Sequence, residues 1–126
     1  MQAIVVKELS KSYGSKQALD KVSFDVEKGA FFGCFGPNGA GKSTLLRILT
    51  GQVQPSAGEA KVLGLDCATQ GLEIKRRVGI VPEVESPPSY LTAWEFLYFT
   101  CKVRKVGDLE RRIDRWLDFF DLQEAK

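Results

Sequence analysis

Residues 36 to 44 read Gly36-Pro37-Asn38-Gly39-Ala40-Gly41-Lys42-Ser43-Thr44, a run that satisfies G-x-x-x-x-G-K-[ST]. Its glycines let the backbone take conformations closed to other residues, so the amides from Asn38 to Thr44 can converge as a nest for an anion. A helix starting at Lys42 adds its positive end to that field. Lys42 offers an ammonium to the β- and γ-phosphates of a nucleoside triphosphate and is the candidate catalytic residue. Ser43 offers a hydroxyl to Mg²⁺. The bland alternative is a glycine-rich turn with a chance lysine. The phosphate motif, unlike that turn, demands a strand before it and a helix after it.

Both elements are expected. Ala30-Phe31-Phe32-Gly33-Cys34-Phe35 is apolar at nearly every position, as in a central strand covered on both faces. After Lys42, the residues Leu45, Ile48 and Leu49 recur at helical spacing until Gly51, a C-terminal cap. Upstream, alternation at Ala3 to Val6 and at Val22, Phe24 and Val26 predicts two half-buried antiparallel strands joined by a turn at Tyr13-Gly14-Ser15. Downstream come a turn at Pro55 to Gly58, a short strand over Glu59 to Leu63, and an apolar run from Val78 to Val81 that ends at Pro82.

Glu85-Ser86-Pro87-Pro88-Ser89 reads as a loop, and Thr92-Ala93-Trp94-Glu95 has the spacing of a capping box that starts a helix. Another helix is expected from Asp108, with Ile113, Trp116, Leu117 and Phe120 on one face and a mixed-charge, solvated opposite face. In the helix from Thr92 to Arg104, Trp94, Leu97, Tyr98 and Cys101 form one apolar stripe, and Phe96, Phe99 and Val103 a second. Either both are core, or one faces a partner.

Composition narrows the function classes. The chain has 126 residues, enough for one small domain or a piece of a larger one, with 18 basic and 16 acidic side chains. That balance disfavours a nucleic-acid partner. Histidine is absent, which removes imidazole bases and ligands. Cys34, Cys67 and Cys101 are too far apart for a CxxC site and read as buried thiols of a reducing compartment. The start lacks signal-peptide character and no run is long enough to span a bilayer, so a cytoplasmic location is expected, with any membrane link through a partner.

Lys11-Ser12-Tyr13-Gly14, the loop from Gly36 to Leu46, and Pro55-Ser56-Ala57-Gly58-Glu59 follow one another in an order that resembles the ATP-binding subunits of ABC transporters. The likeness continues through Arg77-Val78-Gly79-Ile80-Val81-Pro82-Glu83 and Leu91-Thr92-Ala93-Trp94-Glu95, covering nearly the whole chain. It implies an α/β P-loop NTPase fold: a RecA-like core with an N-terminal antiparallel β subdomain over residues 1–83, truncated, and the start of a helical subdomain over 84–126. It also implies Mg²⁺ and ATP as ligands. The implied partners are a transmembrane permease subunit and a second nucleotide-binding domain arranged head to tail, and the implied location is peripheral to the inner membrane face.

By that resemblance Tyr13 stacks on adenine; alternatively it is only a turn residue against the first strands. Glu83 departs from the family's usual glutamine. It either keeps an oxygen for Mg²⁺ or is a solvated loop acid; a Walker B reading of Val78 to Glu83 is opposed by Pro82 and by the early position. No LSGGQ-type signature, Walker B Asp or switch His occurs, so the chain resembles an N-terminal half, expected to hydrolyse ATP slowly or not at all by itself. The strand at 30–35 would then present an unpaired apolar edge, with low stability or self-association. The Val-Pro-Glu variant favours an exporter-type subunit. Competing readings are a soluble ABC ATPase acting on ribosomes or DNA, and a non-catalytic nucleotide-binding regulatory module. A P-loop kinase or GTPase is disfavoured because no NKxD-like segment appears.

Overall fold

The alternating segments near the start build the two longest elements of the computed structural model, which describes residues 1–83 and 87–126. β1 (Gln2–Tyr13) and β2 (Lys16–Glu27) pair antiparallel across the turn at Gly14 and Ser15. Val6 and Leu9 are both buried although three residues apart, which strict alternation forbids. A register shift between them reconciles the two: Glu8 takes a left-handed φ of 46° and absorbs the extra residue. Its amide donates to Ser23 Oγ at 2.8 Å, and the amide of Lys21 to Ser10 Oγ at 2.9 Å, so hydroxyls replace ladder bonds at the irregularity.

β3 (Ala57–Val62) pairs antiparallel with the other edge of β1, and the short β4 (Leu65–Asp66) completes a sheet of order β2-β1-β3-β4. α1 (Lys42–Leu49) buries Leu45, Ile48 and Leu49, the helical stripe expected from their spacing, in one core with Val6, Leu9, Leu19, Val62 and Ile74. It ends in a Schellman turn: Gly51, at φ 73°, donates to Ile48 O, and Gln52 donates to Arg47 O. α2 (Gly71–Arg77) follows and anchors itself through fully buried Ile74. These elements belong to the first of two compact units, Met1–Ile80.

The expected central strand and the expected buried thiols need correction here. Residues 30–35 form no strand and are not covered on both faces: Phe31 and Phe35 are fully exposed, while Phe32 stacks on Phe24 of β2 with ring centroids 5.2 Å apart. An apolar run becomes a strand only with a ladder partner, and among the described residues this one has none. The apolar run at 78–81 also lies outside any strand, as the opposition to a Walker B reading there requires. The cysteines divide as well, since Cys67 is buried, Cys101 half-buried and Cys34 exposed.

The second unit, Val81–Lys126, holds α3 (Ala93–Val103), α4 (Leu109–Phe119) and a final 3₁₀ turn, Gln123–Ala125. The loop expected over Glu85–Ser89 lies partly outside the described residues. α3 opens on the full capping box: Thr92 Oγ1 accepts from the Glu95 amide at 3.2 Å, and Glu95 accepts from the Thr92 amide at 2.8 Å. α4 buries Ile113 and Leu117, but Trp116 and Phe120 of the same stripe stay exposed. On α3 no residue is fully buried, and Phe99 and Val103 of the second stripe are exposed.

α3 and α4 are tied by Trp94 Nε1 donating to Asp114 Oδ1 at 3.1 Å. The Lys126 ammonium, 2.7 Å from that carboxylate, is the main cause holding its pKa below the usual 3.8, against a partial opposing effect of burial. A carboxyl depressed in the folded state stabilises above its unfolded pKa, and that contribution goes as pH falls through the lower folded value. Trp94 emission is therefore expected to report a transition below the usual aspartate range in a Trp116→Phe background. Adding Asp114→Asn should abolish it; a midpoint at or above 3.8 would contradict the pairing.

Candidate phosphate-binding loop

The site is assembled where the chain leaves residues 30–35 and enters α1. Gly39 and Gly41 take left-handed φ values of 84° and 95°, conformations that exact strain from any other residue. Gly41 has a second constraint: a Cβ there would collide with the Ala18 carbonyl oxygen of β2 and stand 2.9 Å from Leu19 Cδ2. The missing side chain is what lets the loop lie on the sheet and fixes where α1 begins.

Residues 36–40 are exposed, Lys42 and Thr44 half-buried, and Ser43 exposed. Within the loop, the Ala40 amide donates to Pro37 O at 3.1 Å, and the Leu45 amide closes the first helical turn on Gly41 O at 2.9 Å. The amides of Gly39, Gly41, Lys42, Ser43 and Thr44 meet no acceptor among the described residues. α1 has no side-chain cap and no acidic residue in its first turn, so neither its cap nor its first turn neutralises its positive end. The Lys42 ammonium reaches back across this surface, donating to Gly36 O and, at 2.8 Å, to Pro37 O. Five amides without acceptors, a helix terminus and one cation thus share one short exposed segment, an arrangement suited to a multiply charged anion.

Tyr13 closes β1 opposite Lys16, two residues along β2 from the Ala18 that Gly41 abuts, and is 45% exposed. Glu83 is exposed and belongs to the second unit. The hydroxyls of Ser43 and Thr44 have no hydrogen-bond partner among the described residues. No group of three or more His, Cys, Asp or Glu among them is placed to hold a metal. A single hydroxyl oxygen beside an anion site still suits Mg²⁺, which takes few protein ligands and completes its shell with phosphate oxygens and water. Cys67 offers no chemistry, because burial, helped by neighbouring Asp66, pushes its thiol up to about 11.

A groove of about 690 Å³ between α3 and α4, lined by Leu97, Cys101, Ile113, Trp116 and Leu117 among others, is apolar and carries Arg112 as its one charge. It lacks the donors that a triphosphate needs. Sequence reasoning missed α2, whose only signal is one buried apolar residue, Ile74, in a polar segment.

The ABC transporter family profile matches residues 19–126. The chain belongs to that family. It is 39% identical over 111 residues to the Nod factor export ATP-binding protein I of Rhizobium etli, covering 84% of this chain and 35% of that protein. A solved ATP-binding subunit of an ABC transporter superposes with a TM-score of 0.85 at 29% identity, over 97% of this chain and 52% of that one. A dimeric ATP-binding cassette in a post-hydrolysis state, bound to ADP and phosphate, matches with a TM-score of 0.76 at 26% identity, over 91% and 54%. The fold is accordingly the P-loop NTPase α/β fold of ABC cassettes, and the chain spans about a third to a half of the length of these relatives. Among the described residues of this ABC family member no helix is long and apolar enough to cross a membrane.

Proposed function

We propose that this chain is the N-terminal part of an ABC transporter ATP-binding subunit, and that it holds Mg·ATP on the loop from Asn38 to Thr44 to drive transport through a separate membrane subunit. Family membership implies nucleotide binding. The observation that carries the reading for these residues is the set of five unpartnered amides at the uncapped start of α1, with the Lys42 ammonium beside them.

In this reading the amides bind the β-phosphate oxygens, and Lys42 leaves the Gly36 and Pro37 carbonyls to meet the β- and γ-phosphates. Bound Mg²⁺ supplies charge neutralisation between those phosphates. The Ser43 hydroxyl would be its protein ligand; Glu83 is a candidate ligand on the family resemblance of Val81-Pro82-Glu83 alone. Tyr13 takes the adenine. A transmembrane permease subunit and a second cassette, facing head to tail, are the proposed partners, at the inner face of the membrane. The export ATP-binding protein and the dimeric cassette among the relatives support this over a ribosome- or DNA-directed ATPase.

Ser43→Ala separates the roles of loop and metal. In the unaltered chain, chelating Mg²⁺ should weaken ATP binding in equilibrium dialysis. In the variant, affinity with Mg²⁺ present should fall to the chelated level and respond little to further chelation. Full magnesium dependence in Ser43→Ala would contradict the assignment.

A further inference from the structure

Lys11, two residues before Tyr13 on β1, holds its Nζ 5.0 Å from the centroid of the Tyr13 ring, within the distance at which the ring quadrupole attracts a cation. Lys11 is half-buried, yet no ion pair or side-chain hydrogen bond engages it among the described residues. A lysine covers its apolar stem while its ammonium stays in water, and here the ring face gives that ammonium its contact. The cross-strand partner of Lys11 is Leu19, the residue whose Cδ2 lies against the Gly41 position. The Lys11–Tyr13 pair therefore belongs to the part of the hairpin that the phosphate loop touches.

We infer that Lys11 is a positioning residue for the base of the bound nucleotide: its ammonium covers one face of the Tyr13 ring, sets the plane of the ring and leaves the other face to stack. The inference rests on the triphosphate reading of the loop. With Tyr13 45% exposed, ring surface remains for a base. A tyrosine at a strand end that must choose its rotamer on binding meets an ordering cost, and a ring already held by a cation avoids it. The same chemistry recurs at Lys102 and Tyr98, 5.1 Å apart on α3, and provides an internal control.

The test is a paired titration with Mg·ATP and with Mg·tripolyphosphate, which has the phosphate tail but no base, on the unaltered chain, Lys11→Met, Lys11→Arg and Lys102→Met. Lys11→Met should weaken ATP binding roughly two- to fivefold, the scale of one cation–π contact, and leave tripolyphosphate unchanged. Lys11→Arg should restore ATP affinity, because guanidinium stacks on aromatic faces as well as ammonium does, and Lys102→Met should match the unaltered chain. In the ligand-free protein the Tyr13 ring proton resonances should move in Lys11→Met and not in Lys102→Met. Equal losses for ATP and tripolyphosphate would overturn the inference by placing Lys11 on phosphate, and an unchanged ATP affinity in Lys11→Met would overturn it outright. If the unaltered chain binds neither ligand, the loop reading fails first and this inference falls with it.

Discussion

Lys42→Ala is expected to weaken Mg·ATP binding by about 10- to 100-fold, the range set by losing hydrogen bonds from a charged donor to a charged acceptor. Lys42 is the cation that reaches across the loop, and the five free amides cannot replace a full charge. Stability should change little. Among the described residues Lys42 donates to the carbonyls of Gly36 and Pro37, both exposed residues that water can satisfy in its absence. An isothermal titration that gives the two proteins equal affinity would remove Lys42 from the site. A large drop in melting temperature would instead mean that the lysine is structural.

Gly58→Ala should be the most damaging small substitution in the first unit. Gly58 has φ 82°, and a Cβ there would collide with the Glu8 carbonyl and stand 2.7 Å from Leu9 Cα, at the irregularity that lets both Val6 and Leu9 face the core. Left-handed strain costs about 1–2 kcal/mol and overpacking about 1–3 more, together a large part of a small domain's stability. Gly64 has nearly the same φ, 78°, with nothing within 4 Å of a Cβ. Gly64→Ala should therefore cost only the strain, about 1–2 kcal/mol. Urea midpoints for the two variants separate conformation from collision, and similar losses would show that β1 and β3 are not held as close as described.

What the sequence made legible was local chemistry. The motif from Gly36 to Ser43 announces its own helix, because Lys42 begins a stripe whose Leu45, Ile48 and Leu49 all reach the core. The Thr92–Glu95 capping box specifies both of its hydrogen bonds. Less legible were features that depend on partners distant in the chain. Residues 30–35 have strand composition, yet no ladder partner for them lies among the described residues. The burial of both Val6 and Leu9 breaks the two-residue period, because Glu8 takes a conformation that periodicity does not encode. Asp108 stands at the start of α4 in a left-handed conformation, without the side-chain cap its residue type suggested. Tyr13 was legible as the residue entering the β1–β2 turn, but its contact with Lys11 depends on a packing geometry that residue types do not specify.

The most direct measurement is a backbone amide resonance titration of the chain with Mg·ATP. The amides of Gly39, Gly41, Lys42, Ser43 and Thr44, which meet no acceptor among the described residues, should shift first and most, in step with saturation. Saturable binding that leaves these five resonances in place while perturbing others would contradict a triphosphate held by the main chain at the start of α1.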